Sequence, residues 1–217
     1  MVDFKTQTYH GTRYNEQAKY LAPLEINALI EGALTGGASE VLVMDGHGSG
    51  GICIEHIHYE AKVFYGGPIP APWGLDSEDI VALYLYGHHA MDNTPTGVLC
   101  HSWSSSNIAN CWLNDQLIGE IGFNMGLAGE YGIPTVFVSG DRAAIEESRQ
   151  YEPMIEGVVT KEGLSRTSAL TLSPAKARDI TREGAEKAMG LIGKLRPFEI
   201  GGPYTFITEY QSASSAA

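Results

Sequence analysis

Three short runs of consecutive apolar residues punctuate the chain: "EVLVMD" (40–45), "DIVALYLYG" (79–87) and "PTVFVSGD" (134–141). Runs this short, rich in β-branched or aromatic residues and lacking polar alternation, suit strands covered on both faces. "EGVVTK" (156–161) is a weaker fourth. Helical patterns lie between them. "YNEQAKYLAPLEINALIEGALTGG" (14–37) carries Leu21, Leu24, Ala28 and Leu29 on one stripe and stops at paired glycines. Pro23 inside it predicts a kink or a later start. "GEIGFNMGLAGEYG" (119–132) predicts a second helix, and residues 173–195 a third, with Ser173 as N-cap and Pro174 at the first helical position. Alternation of helix and strand predicts a three-layer α/β domain around a mainly parallel sheet. "CWLNDQLIGE" (111–120) breaks the alternation, and its Asn114-Asp115 between apolar pairs reads as a hairpin turn. Residues 1–210 read as one domain, and "QSASSAA" (211–217) as a disordered tail.

Composition narrows the function classes. The 217 residues are 43% hydrophobic and 18% charged, an ordinary globular balance, with a net charge of −12. Acidity of that size without a basic patch argues against nucleic acid. It is compatible with cation binding. No apolar run approaches the ~18 residues of a membrane span, and the N-terminus lacks a signal-peptide core. Cys53, Cys100 and Cys111 are odd in number and show no C-x-x-C pairing. The expectation is a reduced protein in the cytoplasm.

Each strong strand runs out at its carboxyl end into a polar cluster: "DGHG", "GHHA" and "SGDR". In open α/β sheets these ends are where sites are built, so a site is expected there. In "MDGHGSGG" (44–51) the glycines spell G-x-G-x-x-G, the spacing of a dinucleotide loop. The following "GGICIEHIHYE" alternates its isoleucines and is a poor helix start, and Asp45 would repel a phosphate. A metal reading fares better. His47, His88 and His89 all fall at strand ends, and imidazole with carboxylate is a common donor set for catalytic zinc. Period-two alternation sends His88 and His89 to opposite faces and leaves open which one points toward the site. His56 and His58, on one strand face, could pair on a metal, but a solvated edge strand is the favoured reading. Glu120, at the start of the second helix, is favoured there by the helix dipole. Adjacent Cys100 and His101 point apart in an extended segment, which argues against a cysteine-protease pair. Asp141-Arg142 reads as a helix N-cap with a structural salt bridge.

Together "EVLVMDGH", "LYGHHA…TPTGVLCHS", "NDQLIGEIGFN", "IPTVFVSGDRAA" and "LSPAKAR" resemble the zinc-dependent, self-compartmentalising D-aminopeptidases, in order and spacing, from about Tyr14 to about Pro197. The resemblance implies hydrolysis of the N-terminal D-residue of short D-peptides by a zinc-activated water. It makes His47, His89 and Glu120 metal ligands and His101 the catalytic histidine. It also implies two zinc ions in the complete family site and a homodecameric ring. The family's Asp-x-Glu-Gly strand is expected upstream of Tyr14, where this sequence has none. The only such triplet, Asp76-Ser77-Glu78, sits in a polar turn. This predicts a fragment or a divergent member, in which His47, His89 and Glu120 suffice for one zinc. The alternative is an inactive or truncated relative that binds peptide or only assembles.

Overall fold

The computed structural model describes residues 5–46 and 50–216. Helix α1 spans Arg13–Thr35, with the Thr12 hydroxyl accepting the Asn15 N–H at its start. It runs unbroken through Pro23, so the later start is not found. Proline cannot donate to the carbonyl four residues back, which is that of Lys19. That carbonyl instead accepts the N–H of Cys53 at 3.1 Å, which ties the segment after residues 47–49 to the helix.

Strand β1 (Val41–Met44) pairs in parallel with β2 (Ala61–Phe64). The larger sheet is built from β3 (Leu83–His88), β6 (Thr135–Asp141), β7 (Glu156–Ser165) and β8 (Ser168–Thr171), in the order β3-β6-β7-β8. The first two pairings are parallel and the last antiparallel. A third, antiparallel sheet joins β4 (Ile108–Leu113), β5 (Gln116–Leu117) and β9 (Phe206–Tyr210). Between β4 and β5, Asn114 and Asp115 both adopt positive φ (50° and 65°), the turn the sequence predicted.

Helices cover both faces of the larger sheet, which gives the expected three layers. On one face, α2 (Glu120–Glu130) and α3 (Arg142–Tyr151) pack Ile121, Met125, Ala144 and Ile145 against Leu85 and Val138. On the other, α1 and α4 (Pro174–Met189) pack Leu29, Ala185 and Ala188 against Val136, Phe137 and Val158. Every residue of β6 is buried, which explains its uninterrupted apolar run. Complete burial of a side chain such as Phe137 contributes about 3 kcal/mol. Ile26 and Ile30 of α1 continue onto the small sheet with Ile52, Val41 and Val43. Ser173 caps α4 as expected, although that helix ends at Met189 rather than Leu195.

Several expectations need correction. Residues 79–82 precede β3 instead of forming its start, and β7 runs four residues beyond the predicted Lys161, to Ser165. His56 and His58 do not share a strand face. Ile54–His56 is a 3-10 turn, and Asn27 bridges the two histidines by donating to the His56 carbonyl and accepting the His58 N–H. His56 meets Tyr20 edge-on while His58 stacks on Tyr59, so their rings are engaged separately. Among the described residues no α-helix lies between β1 and β2, so the helix that a dinucleotide loop requires is not found there. Gln211 bonds the backbone of residues 107 and 108, and Ala213–Ser215 form a 3-10 turn. No helix among the described residues is long and apolar enough to cross a membrane.

Candidate metal centre

His89 follows β3 directly, His101 sits on the segment that leads toward β4, and Glu120 is the first residue of α2. The fold brings these three together, with one donor atom from each within 4.8 Å of the others. His89 Nε2 lies 3.8 Å and His101 Nε2 3.9 Å from Glu120 Oε1, and all three side chains are about a quarter exposed.

Backbone carbonyls fix both rings. His89 Nδ1 is 3.1 Å from the Ala90 carbonyl oxygen, and His101 Nδ1 is 2.7 Å from that of Leu99. A carbonyl only accepts, so Nδ1 carries the proton in each neutral ring and Nε2 keeps its lone pair. That is the arrangement in which a ligating histidine is held by its other nitrogen. Glu120 is fixed in turn by the Trp103 N–H, which donates to Oε1 at 2.7 Å. His89 and Glu120 thus offer an imidazole and a carboxylate, a pair of donors that suits zinc, with the His101 ring directly beside them.

The backbone around His101 is strained. Leu99 and Trp103 both adopt left-handed φ (53° and 54°), uncommon for bulky residues. The surroundings impose it. The Leu99 N–H donates to the Arg166 carbonyl, and the Val98 N–H donates to Asp141 Oδ2 at 2.5 Å. Asp141 is buried and also caps α3 through the Ala144 N–H. The sequence reading of Asp141 as an N-cap holds, but it misses this second bond, which anchors the His101 segment. Arg142 pairs with Glu162, not with its neighbour. The thiol of Cys100 is buried, donates to the Thr94 carbonyl and has its pKa raised by desolvation, so it is no nucleophile partner for His101.

Period-two alternation could not choose between His88 and His89 for a physical reason. It holds along Leu83 to Tyr86, with Leu83 and Leu85 toward α2 and α3 and Tyr84 and Tyr86 toward α1 and α4. The register then slips between Leu85 and His88, where Gly87 takes φ of 68°. Such a bulge breaks the alternation just before the two histidines.

His47 falls on residues 47–49, outside the described residues. Asp45, two residues earlier, is buried and its Oδ2 accepts the Gly51 N–H at 2.8 Å. Asp76, Ser77 and Glu78 are exposed, as expected of a polar turn.

Sequence reasoning missed Glu147. This buried side chain of α3 accepts the Met91 N–H through Oε2 at 2.7 Å, while its Oε1 has no hydrogen-bond partner among the described residues. Burial pushes its carboxyl up to about 7, and the nearby Asp141 and Glu120 charges add to the rise. Nothing in "RAAIEESRQY" separates Glu147 from exposed Glu146 except the helical stripe shared with Ala143 and Ala144.

Beside Glu120, Trp103, Phe123 and Phe206 meet edge-to-face, with ring centroids 5.4 to 6.2 Å apart. Phe206 belongs to β9, a strand that sequence patterning did not predict.

Comparison with known proteins identifies the family. Residues 2–217 match the peptidase M55 family, described as D-aminopeptidase. A D-aminopeptidase of Bacillus subtilis (strain 168) is 34% identical over 190 residues, covering 86% of this chain and 68% of the relative. Among solved structures, the Zn-dependent D-aminopeptidase DppA from Bacillus subtilis, a self-compartmentalizing protease, superposes with a TM-score of 0.90 at 27% identity. That match covers 97% of this chain and 77% of the other. A family match along almost the whole sequence, with the same fold beneath it, makes this chain a member of the D-aminopeptidase family of M55 peptidases.

Proposed function

We propose that the chain is a zinc-dependent aminopeptidase that removes the N-terminal D-amino acid from short peptides. The observation that carries this reading is the convergence of His89, His101 and Glu120, with both Nδ1 atoms tied to carbonyls and both Nε2 atoms aimed at the carboxylate. The zinc dependence of the structurally similar Bacillus enzyme supports the choice of metal.

In this reading His89 and Glu120 would hold the ion, joined by His47 through its place in the family motif. An ion held there would supply an activated water, with a pKa lowered toward ~7, and would polarise the scissile carbonyl. His101 moves the proton. Its Nδ1 stays on the Leu99 carbonyl, so Nε2 takes up a proton from the attacking water and delivers it to the leaving amine. The strained backbone at Leu99 and Trp103 holds that ring in place throughout. His47, His89 and Glu120 serve one ion; a second would need carboxylates beyond these three.

The assembly and the setting belong to the same reading. The structurally similar Bacillus enzyme is a self-compartmentalizing protease, which supports a homo-oligomer here, and we favour a decameric ring. Leu164 and Leu170 on the β7–β8 hairpin are each 68% exposed, apolar surface of the kind that subunit contacts cover. Three free cysteines suit a reducing cytoplasm. Residues 1–210 act as one unit in this reading.

The test is hydrolysis of D-Ala-D-Ala and L-Ala-L-Ala by zinc-loaded protein. Release of D-alanine from the first alone is expected. Cleavage of neither, by protein shown to contain zinc, would leave a metal-binding relative without peptidase activity.

A further inference from the structure

The buried carboxyl of Glu147 has no role in the chemistry above, yet it touches both backbone segments that carry metal ligands. Its Oε2 accepts the N–H of Met91, two residues beyond His89. Its Oε1 lies against Gly119, the residue before Glu120, so closely that a Cβ at Gly119 would stand 2.7 Å from that oxygen. The same Cβ would stand 2.6 Å from the Met91 Cβ, so the two segments and the carboxyl form one tight contact.

We propose that Glu147 is a positioning residue that sets the spacing of His89 and Glu120 for a divalent metal ion. The proposal rests on the metal reading of these two residues and extends it to the element behind them.

Energetics favour a role beyond stability. A buried carboxyl with an oxygen left without a partner is costly, and an apolar side chain of the same length would avoid that cost. What an apolar side chain cannot supply is an acceptor for the Met91 N–H. That bond fixes where β3 delivers His89, while the bulk of the same carboxyl stops α2 from sliding toward β3. Supporting groups of this kind, one step behind the ligands, commonly govern metal affinity.

The experiment measures zinc affinity by competition with a chromophoric chelator at pH 7.5, and the visible spectrum of the cobalt(II)-substituted protein. It compares wild type, Glu147→Met, Glu147→Gln and Val158→Ala. Glu147→Met keeps the volume and removes the acceptor, and Val158→Ala perturbs the core on the opposite face of the sheet. Glu147→Met is expected to bind zinc about 10- to 100-fold more weakly with a shifted cobalt band. Glu147→Gln keeps an acceptor for Met91 and is expected to stay within about threefold of wild type. Val158→Ala is expected to lower the melting temperature with affinity and spectrum unchanged.

Wild-type affinity and spectrum in Glu147→Met would overturn the positioning role alone. So would a Gln variant as weak as the Met variant, or an equal loss in Val158→Ala. Wild type that binds no zinc would overturn the metal reading and the positioning role together.

Discussion

The imidazole rings of His89 and His101 stack face to face, with centroids 3.8 Å apart and planes 22° from parallel. Two rings this close, each with Nδ1 on a carbonyl, present their lone pairs side by side toward Glu120. One metal ion and one proton-transfer group can therefore work at the same carbonyl. Their roles separate by experiment.

His101→Ala is expected to keep its zinc and lose turnover. Loss of one positioned acid-base group costs about 10²- to 10⁴-fold in kcat. Metal analysis alongside D-Ala-D-Ala kinetics checks this. A variant that arrives without zinc would make His101 a ligand.

Glu147 makes the metal-free protein less stable as pH rises. Its carboxyl holds a proton up to about 7 in the fold, whereas an exposed carboxyl releases it near 4.5. The folded state binds more protons between those values, so this contribution is full below pH ~4.5 and lost as pH climbs through ~7. The whole effect is on the order of 3 kcal/mol. Urea denaturation of the apo protein from pH 4.5 to 8 should show the decline, and Glu147→Gln should flatten it. Parallel profiles for the two proteins would refute it.

Gly119→Ala should destabilise by about 1–3 kcal/mol, because the added methyl meets the Met91 Cβ at 2.6 Å and Glu147 Oε1 at 2.7 Å. Chemical denaturation measures it, and a neutral result would mean that this junction yields.

Pro23→Ala restores a helical N–H that competes with Cys53 for the Lys19 carbonyl. Loss of one bond of about 1 kcal/mol predicts roughly fivefold faster hydrogen exchange at the Cys53 amide. Unchanged protection would show that other contacts hold the segment.

Much of this was legible in the sequence where burial is complete. β6 is covered on both faces, so its composition alone gave it away, and Asn114-Asp115 announced their turn because few other residues take positive φ in pairs. The elements that escaped are those with mixed exposure. β9 reads "FITEY" with four of its five residues exposed, and β8 has one partly buried position. The strand character of β9 comes from β4, nearly a hundred residues away, which no local window contains. β8 is held by the neighbouring β7 through a hairpin that its exposed residues do not signal. The same limit governed the site. Glu120 and the histidines stood out by residue type and strand-end position. Glu147 and the second bond of Asp141 depend on distant backbone amides, at Met91 and Val98, that only the folded chain brings within reach.

The central claim is that His89 and Glu120 hold a catalytic metal ion. Zinc content per chain, measured on wild type, His89→Ala and Glu120→Gln dialysed against the same trace-zinc buffer, tests it most directly. At least one zinc per wild-type chain is expected. Each variant should bind at least about 100-fold more weakly, since a lost ligand costs no less than a lost supporting group, and D-Ala-D-Ala hydrolysis should fall in step. Equal zinc and equal hydrolysis in all three proteins would contradict it.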